Sequence, residues 1–250
     1  MKALITGASS GLGVDFAKYL SSLGYDLILV ARRKDRLENL KKELKTNIKI
    51  ISIDLSDEKK CIELHKQVKN EKIDILINNA GFGDFGKFHE TDIEKELTKI
   101  NVNIKAVHIL TKLFLNDMIK KDSGYILNVA SAASFSPGPL MATYYSTKSY
   151  VLRLSESIYE ELKHNKSNVK ISVLCPGPVE TEFNDVANVN FSIKPLKSDY
   201  VAKYAVDKMF KSKLIIVPGI LMKFMKLFSK ILPDKILGKI VYNNQKRKKK

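Results

Sequence analysis

The sequence predicts an α/β protein built on a doubly wound parallel sheet, with helices on both faces and a C-terminal amphipathic helical extension. Three observations predict it. Short apolar runs alternate with helical stretches along the whole chain. A glycine turn ends the first apolar run and opens an amphipathic segment. No repeat or linker divides the 250 residues, whose 44% apolar content suffices for a full core.

The first strand is Lys2-Ala-Leu-Ile-Thr6. It breaks at Gly7, and Phe16, Ala17, Leu20 and Leu23 follow at helical spacing. The second strand spans residues 26–31, and a helix is expected over 33–44. Further strands are expected at 49–53, 73–77, 125–130, 169–174 and 214–217, separated by helices at 57–69, 92–120 and 142–164. Right-handed crossovers then place a ligand at the carboxyl ends of the strands.

The first turn reads Thr6-Gly7-Ala8-Ser9-Ser10-Gly11-Leu12-Gly13. A strand, a glycine turn and a helix N-terminus form an anion site, because exposed amides and the helix dipole both favour phosphate. Glycine admits the ligand to the backbone, since no Cβ intervenes. The second strand ends in Arg32-Arg33, with no carboxylate before Asp35. An acidic residue at that point suits the ribose hydroxyl of NAD, whereas arginine suits the 2′-phosphate of NADP. The pattern favours NADP.

Tyr144 and Lys148 are four residues apart on the helix expected at 142–164, with Ser131 upstream. Helical geometry puts residues i and i+4 on one face. A cation beside a phenol favours the phenolate and moves its pKa toward the working range. Alone, the pair would equally suit a solvated helix face.

With these elements placed, the chain resembles the short-chain dehydrogenase/reductase family over nearly its full length, and the resemblance implies a single Rossmann-fold domain over 1–218. The glycine turn resembles the family's cofactor loop, implying contacts from Gly7, Ser9, Ser10, Gly11, Leu12 and Gly13. Asp54-Leu55 resembles the pair bordering the adenine, and Asn78-Asn79-Ala80-Gly81 the family's NNAG. Asn103 stands where the family has its catalytic asparagine, and Ser131, Tyr144 and Lys148 match the catalytic serine and the YxxxK pair. Pro176-Gly177-Pro178-Val179-Glu-Thr181 resembles the PGxxxT segment beside the nicotinamide. Ala106 departs from a glycine common in the family.

The implied activity is NADP(H)-dependent hydride transfer to or from a carbonyl or secondary alcohol. Ser131 would donate to the substrate oxygen and Tyr144 would exchange its proton. Lys148 would hold the nicotinamide ribose and lower the Tyr144 pKa. Asn103 would hold a water linking Lys148 to solvent. Phe82, Phe85, Ala132, Phe135, Leu140, Met141, Phe183 and Val186 would line the substrate. These residues favour an apolar ketone or aldehyde. A 3-ketoacyl or hydroxysteroid-type substrate stays open, as does a non-catalytic NADP-binding, membrane-associated protein.

Cys61 and Cys175 form no CxxC and read as reduced residues of a cytoplasmic protein, and the four histidines show no metal-ligand spacing. The interrupted first apolar run does not read as a signal peptide. Net charge is +16, of which +11 falls from Lys211 onward, with twelve Lys/Arg against Asp234. Residues 219–250 form a basic amphipathic extension: an apolar stripe from Ile220 to Leu232, with Lys223, Lys226 and Lys230 beside it. Such a helix can pack on the body, assemble a homodimer or homotetramer, or lie peripherally on an anionic membrane. No nucleic-acid motif accompanies it.

Overall fold

The structure is a computed structural model that describes residues 1–183 and 194–246. Strands β1 (Lys2–Thr6), β2 (Asp26–Ala31), β3 (Ile48–Ser52), β4 (Ile75–Asn78), β5 (Tyr125–Val129), β6 (Lys170–Leu174) and β7 (Ile215–Ile216) form one sheet. Their order is β3-β2-β1-β4-β5-β6-β7, and every pairing is parallel. The doubly wound Rossmann-type sheet expected from the sequence is the one observed.

Alternation along β1 explains the layering. Ala3 and Ile5 point to one face, and Leu4 points to the other. The first face is covered by α1 (Leu12–Ser22), α2 (Lys34–Glu43) and α7 (Ser198–Phe210), through Phe16, Leu20, Leu37, Val201 and Ala205. The second is covered by α3 (Glu58–Gln67), α5 (Val107–Lys120) and α6 (Ala142–His164), through Leu64, Phe114 and Leu162. Leu23 falls just past α1 and is exposed, so the helical stripe stops at Leu20.

The strand order reverses between β1 and β4, the switch point where such sheets bind ligands. A buried polar network fixes the strands there. Asn78 Nδ2 donates to Asn128 Oδ1 (2.9 Å) and Thr111 Oγ1 (3.0 Å), and Asn128 Nδ2 donates to Ser155 Oγ (3.0 Å). It joins β4 and β5 to α5 and α6, and its full burial makes each bond costly to break.

The helix expected over 92–120 is continuous but not uniformly α. After α4 (Ile93–Ile100), whose N-cap Asp92 accepts from the Lys95 amide at 2.8 Å, residues Asn101–Ala106 form a π turn before α5 begins. Such turns occur often at functional positions. This one carries Asn103.

Beyond β7, α8 (Ile220–Ile231) and α9 (Asp234–Lys246) fold back on the body, Pro233 marking the break between them. Met222 and Leu237 are buried, whereas the apolar stripe of α8 is not.

Candidate active site

The loops that follow β1, β4, β5 and β6 converge at the switch point. Gly7 has φ +66, and a Cβ there would lie 2.8 Å from Ala80 Cα. At Gly13 a Cβ would meet the Gly7 carbonyl oxygen at 2.1 Å. Thr6 Oγ1 accepts from the Asn79 and Ala80 amides, both at 3.0 Å, and Asn79 Nδ2 donates to the Thr6 and Gly7 carbonyls (3.0 and 3.2 Å). The first and fourth loops are thus stitched together. The Gly13 amide donates to Ser10 O, Leu12 packs on the core, and Gly11 is the N-cap of α1, which has no side-chain cap. Thr181 sits over Gly11, 3.0 Å from where a Cβ would stand, which brings the PGxxxT segment to the same place. Pro176 O accepts from the Ala132 amide at 2.8 Å, and Val179 bridges to Leu196. Gly177 packs on Met222 of α8.

This cradle fits a dinucleotide. Its glycines let the loops after β1, β4 and β6 close on one another, and the N-terminus of α1 opens onto the turn.

At the end of β2 the two arginines divide. Arg33 donates through Nε and Nη2 to Ser9 Oγ, both at 3.3 Å, and so reaches the glycine loop. Arg32 points toward Asp54, 3.8 Å away, and is exposed. Asp54 Oδ1 also accepts from the Ser56 amide (2.9 Å), and Leu55 is buried. Two residues absent from the sequence reading join this corner. Glu182 bonds Arg36 at 2.6 Å and Arg33 at 3.4 Å, and Arg36 holds its carboxyl below the usual range. The only sequence signal was proximity: Arg36 lies one helical turn beyond Arg33, and Glu182 follows Thr181.

Ser131, Tyr144, Lys148 and Asn103 come together on the other side of the cradle. Tyr144 and Lys148 are both buried (8% and 4% exposed), and the Lys148 ammonium lies 5.9 Å from the Tyr144 ring centre. Lys148 Nζ donates to Val129 O at 2.8 Å. Ser131 caps the short 3-10 turn Ala132–Phe135, its Oγ accepting from the Ala133 amide at 3.1 Å, and it stands close enough to the Tyr144 phenol to act on its charge. Asn103 Oδ1 accepts from the Phe82 amide (3.1 Å), while its Nδ2 donates to Phe82 O (3.0 Å) and Thr147 Oγ1 (3.1 Å). Thr147 in turn donates to Tyr144 O at 2.8 Å. Thr147 was not singled out from the sequence, although it is Lys148's neighbour. A Cβ on Gly81 would meet Asn103 Oδ1 at 3.0 Å and Lys148 Nζ at 3.2 Å, so the loop closes over both.

Burial dominates the electrostatics. It pushes the Tyr144 phenol up to about 12, a rise that the nearby Ser131 opposes, and pushes the Lys148 ammonium down to about 8. The sequence reading had Lys148 lowering the Tyr144 pKa. In the protein by itself, desolvation outweighs any such effect. Cys175, beneath Ser134, is likewise pushed up to about 12 by burial, and both cysteines are free and buried.

The expected substrate residues separate into two groups. Phe85, Met141 and Phe183 pack around Tyr144, with the Phe183 and Tyr144 rings 5.4 Å apart. Gly83, unnoticed in the sequence, lets them close: a Cβ there would meet Phe183 Cζ at 2.8 Å and Tyr144 Cδ2 at 3.3 Å. Ala132 and Phe135 instead pack against the cluster holding Met222 and Val151, and Lys226 sits over the Phe135 ring. Phe82 is held by its backbone to Asn103. Leu140, at φ +66, accepts at its carbonyl from the Gly86 amide (2.9 Å) and so braces the rim. Val186 lies outside the described residues.

Comparisons with known proteins place the chain by family and by fold. A family model described as short chain dehydrogenase matches residues 1–190. An uncharacterized oxidoreductase of Staphylococcus epidermidis is 34% identical over 185 residues, covering 73% of this chain and 80% of its own. A short-chain dehydrogenase from Sphingobium yanoikuyae, solved in complex with NADPH, aligns with a TM-score of 0.82 at 27% identity, over 92% of this chain and 93% of its own. A short chain dehydrogenase/reductase from Burkholderia phymatum, solved in complex with NAD, has a TM-score of 0.81 over 90% and 91% of the two chains; at 24% identity it supports the fold alone.

Proposed function

The chain belongs to the short-chain dehydrogenase family of oxidoreductases, and on that premise we propose that it reduces the carbonyl of an apolar ketone or aldehyde with NADPH. One observation carries the reading. Tyr144 and Lys148 are buried on one face of α6, Ser131 stands by the phenol, and the three lie beside the glycine turn.

A bound NADPH supplies the hydride, or in its oxidised form accepts it. The turn from Gly7 to Gly13, with Ser9, Ser10, Gly11 and Leu12 at the N-terminus of α1, would hold the pyrophosphate. Arg33, already on Ser9, supports the 2′-phosphate most directly, and Arg32 flanks it. Asp54 and Leu55 would border the adenine, and Asn79, Ala80 and Gly81 the adjoining ribose. Pro176, Gly177, Val179 and Thr181 would border the nicotinamide.

The protein's own groups then handle oxygen and proton. With its pKa near 12, the Tyr144 phenol keeps its proton at neutral pH and is suited to give it to an oxygen gaining negative charge. Ser131 donates a second hydrogen bond to that oxygen. Lys148, charged below about pH 8, stabilises the phenolate left behind and would hold the nicotinamide ribose. Both ends of the Asn103 amide are already engaged, so its side chain positions Phe82 and α6. A relay water at Asn103 would use the remaining Oδ1 lone pair or the main-chain carbonyl. Phe85, Met141 and Phe183 around Tyr144 favour an apolar substrate. The direct test is a panel of apolar ketones and aldehydes, with NADPH oxidation followed by absorbance. No turnover with any of them would overturn the reading.

A further inference from the structure

Helix α8 is seated by the wrong face for a helix that packs on its own protein. Its contacts with the body run through Met222, whose sulfur lies over Gly177, and through Lys226, whose ammonium is 5.7 Å from the centre of the Phe135 ring. The following helix is tied down separately: Leu237 is buried, and Gln245 Nε2 donates to the Tyr145 hydroxyl at 2.7 Å. The apolar stripe of α8 is left outside. Ile220, Leu221, Phe224, Leu227, Phe228 and Ile231 are each more than half exposed, from 52% to 72%. Their spacings of one, three and four residues gather them on a single face. A contiguous face of this kind marks an interaction surface rather than ordinary surface scatter.

Charge decides what the face fits. Lys223 and Lys230 are exposed beside the stripe, and the chain from Lys211 onward holds twelve Lys/Arg against the single acid Asp234. Two copies pressed stripe to stripe would bring two such basic segments together, which like-charge repulsion opposes. An anionic lipid surface accepts both features at once: phenylalanine and leucine enter the acyl boundary while lysines meet the headgroups. Among the described residues no helix is long and apolar enough to cross a membrane, so the helix would lie along the surface.

We propose that α8 is a membrane-surface anchor, which binds the protein to anionic lipid bilayers through the stripe from Ile220 to Ile231 with the flanking lysines. The inference is independent of the catalytic reading, since it needs no turnover.

The test is co-sedimentation of the full chain with phosphatidylcholine vesicles that contain or lack phosphatidylserine, at low and high salt. The wild type is expected to bind the anionic vesicles and to lose most of that binding at high salt. The double variant Phe224→Ser/Phe228→Ser is expected to weaken it at least about tenfold, with an unchanged circular dichroism spectrum and melting temperature. Should that variant misfold, Ile220→Ser/Ile231→Ser removes the two ends of the same stripe and is expected to weaken binding likewise. Equal binding by wild type and a folded variant would overturn the proposal. So would no binding to anionic vesicles, or a lipid-free oligomer of the wild type that Phe224→Ser/Phe228→Ser dissociates while vesicle binding is absent.

Discussion

Lys148 and Tyr144 face each other across one turn of α6, ammonium 5.9 Å from ring centre, with both side chains withdrawn from water. Burial acts on them in opposite directions along the pH axis: the phenol is pushed up to about 12, and the ammonium down to about 8. Between those values the tyrosine keeps its proton while the lysine has lost its charge.

The first expectation is a pH profile. Reductive kcat/KM is expected to be level below about pH 8 and to fall above it, as Lys148 loses the charge that stabilises the phenolate. Lys148→Arg, whose guanidinium stays charged throughout, is expected to be slower but to lack that falling limb. Steady-state rates from pH 6 to 10 with both proteins check this.

The second concerns stability. Lys148 holds its proton less tightly folded (about 8) than unfolded (10.5), so the unfolded chain binds more protons between those values. Stability is therefore expected to rise with pH from about 8 to 10; above that, the raised Tyr144 pKa works in the opposite sense. Below pH 8 the penalty for burying the charge is about 3 kcal/mol. Lys148→Met removes it but leaves Val129 O without its donor, which costs about 1–2 kcal/mol. The variant is expected to be inactive, more stable by about 1–2 kcal/mol at pH 7, and without the rise above pH 8. Urea unfolding at several pH values measures both.

Much of this site was legible in the chain, and what was not has common physical causes. The glycine turn and the YxxxK pair are local patterns, and local backbone geometry fixes what they do. The π turn at Asn101–Ala106 is not local in that sense, because its residues suit an α-helix and the shift in hydrogen bonding is imposed by packing. The sequence reading takes Arg32 as the residue for the 2′-phosphate, yet neighbouring residues leaving a strand diverge, and it is Arg33 that meets Ser9 while Arg32 turns toward Asp54. Phe135 and Phe183 carry the same side chain, yet one packs toward Met222 and the other toward Tyr144. The apolar stripe of α8 was plain from its spacing, whereas its exposure depends on Met222 finding the gap at Gly177.

Cofactor choice gives a third expectation. Arg33→Ala is expected to weaken NADPH about tenfold to a hundredfold, the value of a charged hydrogen-bonding contact, and to change NADH far less. Glu182 neutralises Arg33 and Arg36 and would repel a 2′-phosphate, so Glu182→Gln is expected to tighten NADPH by up to about fivefold. Fluorescence titration of each variant with both cofactors measures these shifts. Equal losses for NADPH and NADH in Arg33→Ala would remove the 2′-phosphate role.

A fourth follows from Gly83, where a methyl group would meet Phe183 and Tyr144 within 2.8–3.3 Å. Gly83→Ala is expected to raise KM for bulky apolar ketones several-fold more than for small ones, with NADPH affinity unchanged. The matched comparison is Phe183→Ala, which is expected to shift preference toward the bulkier ketones. Identical ratios across the ketone series in both variants would place the substrate elsewhere.

The most direct test of proton transfer by Tyr144 is Tyr144→Phe, which deletes one oxygen from a site otherwise shaped by its ring contacts with Phe183 and Tyr145. With a ketone that the wild type reduces, NADPH oxidation is expected to fall by about a hundredfold to ten-thousandfold, with NADPH affinity within twofold of about its original value. Retained turnover in a variant that still binds NADPH would contradict the assignment of Tyr144 as the acid.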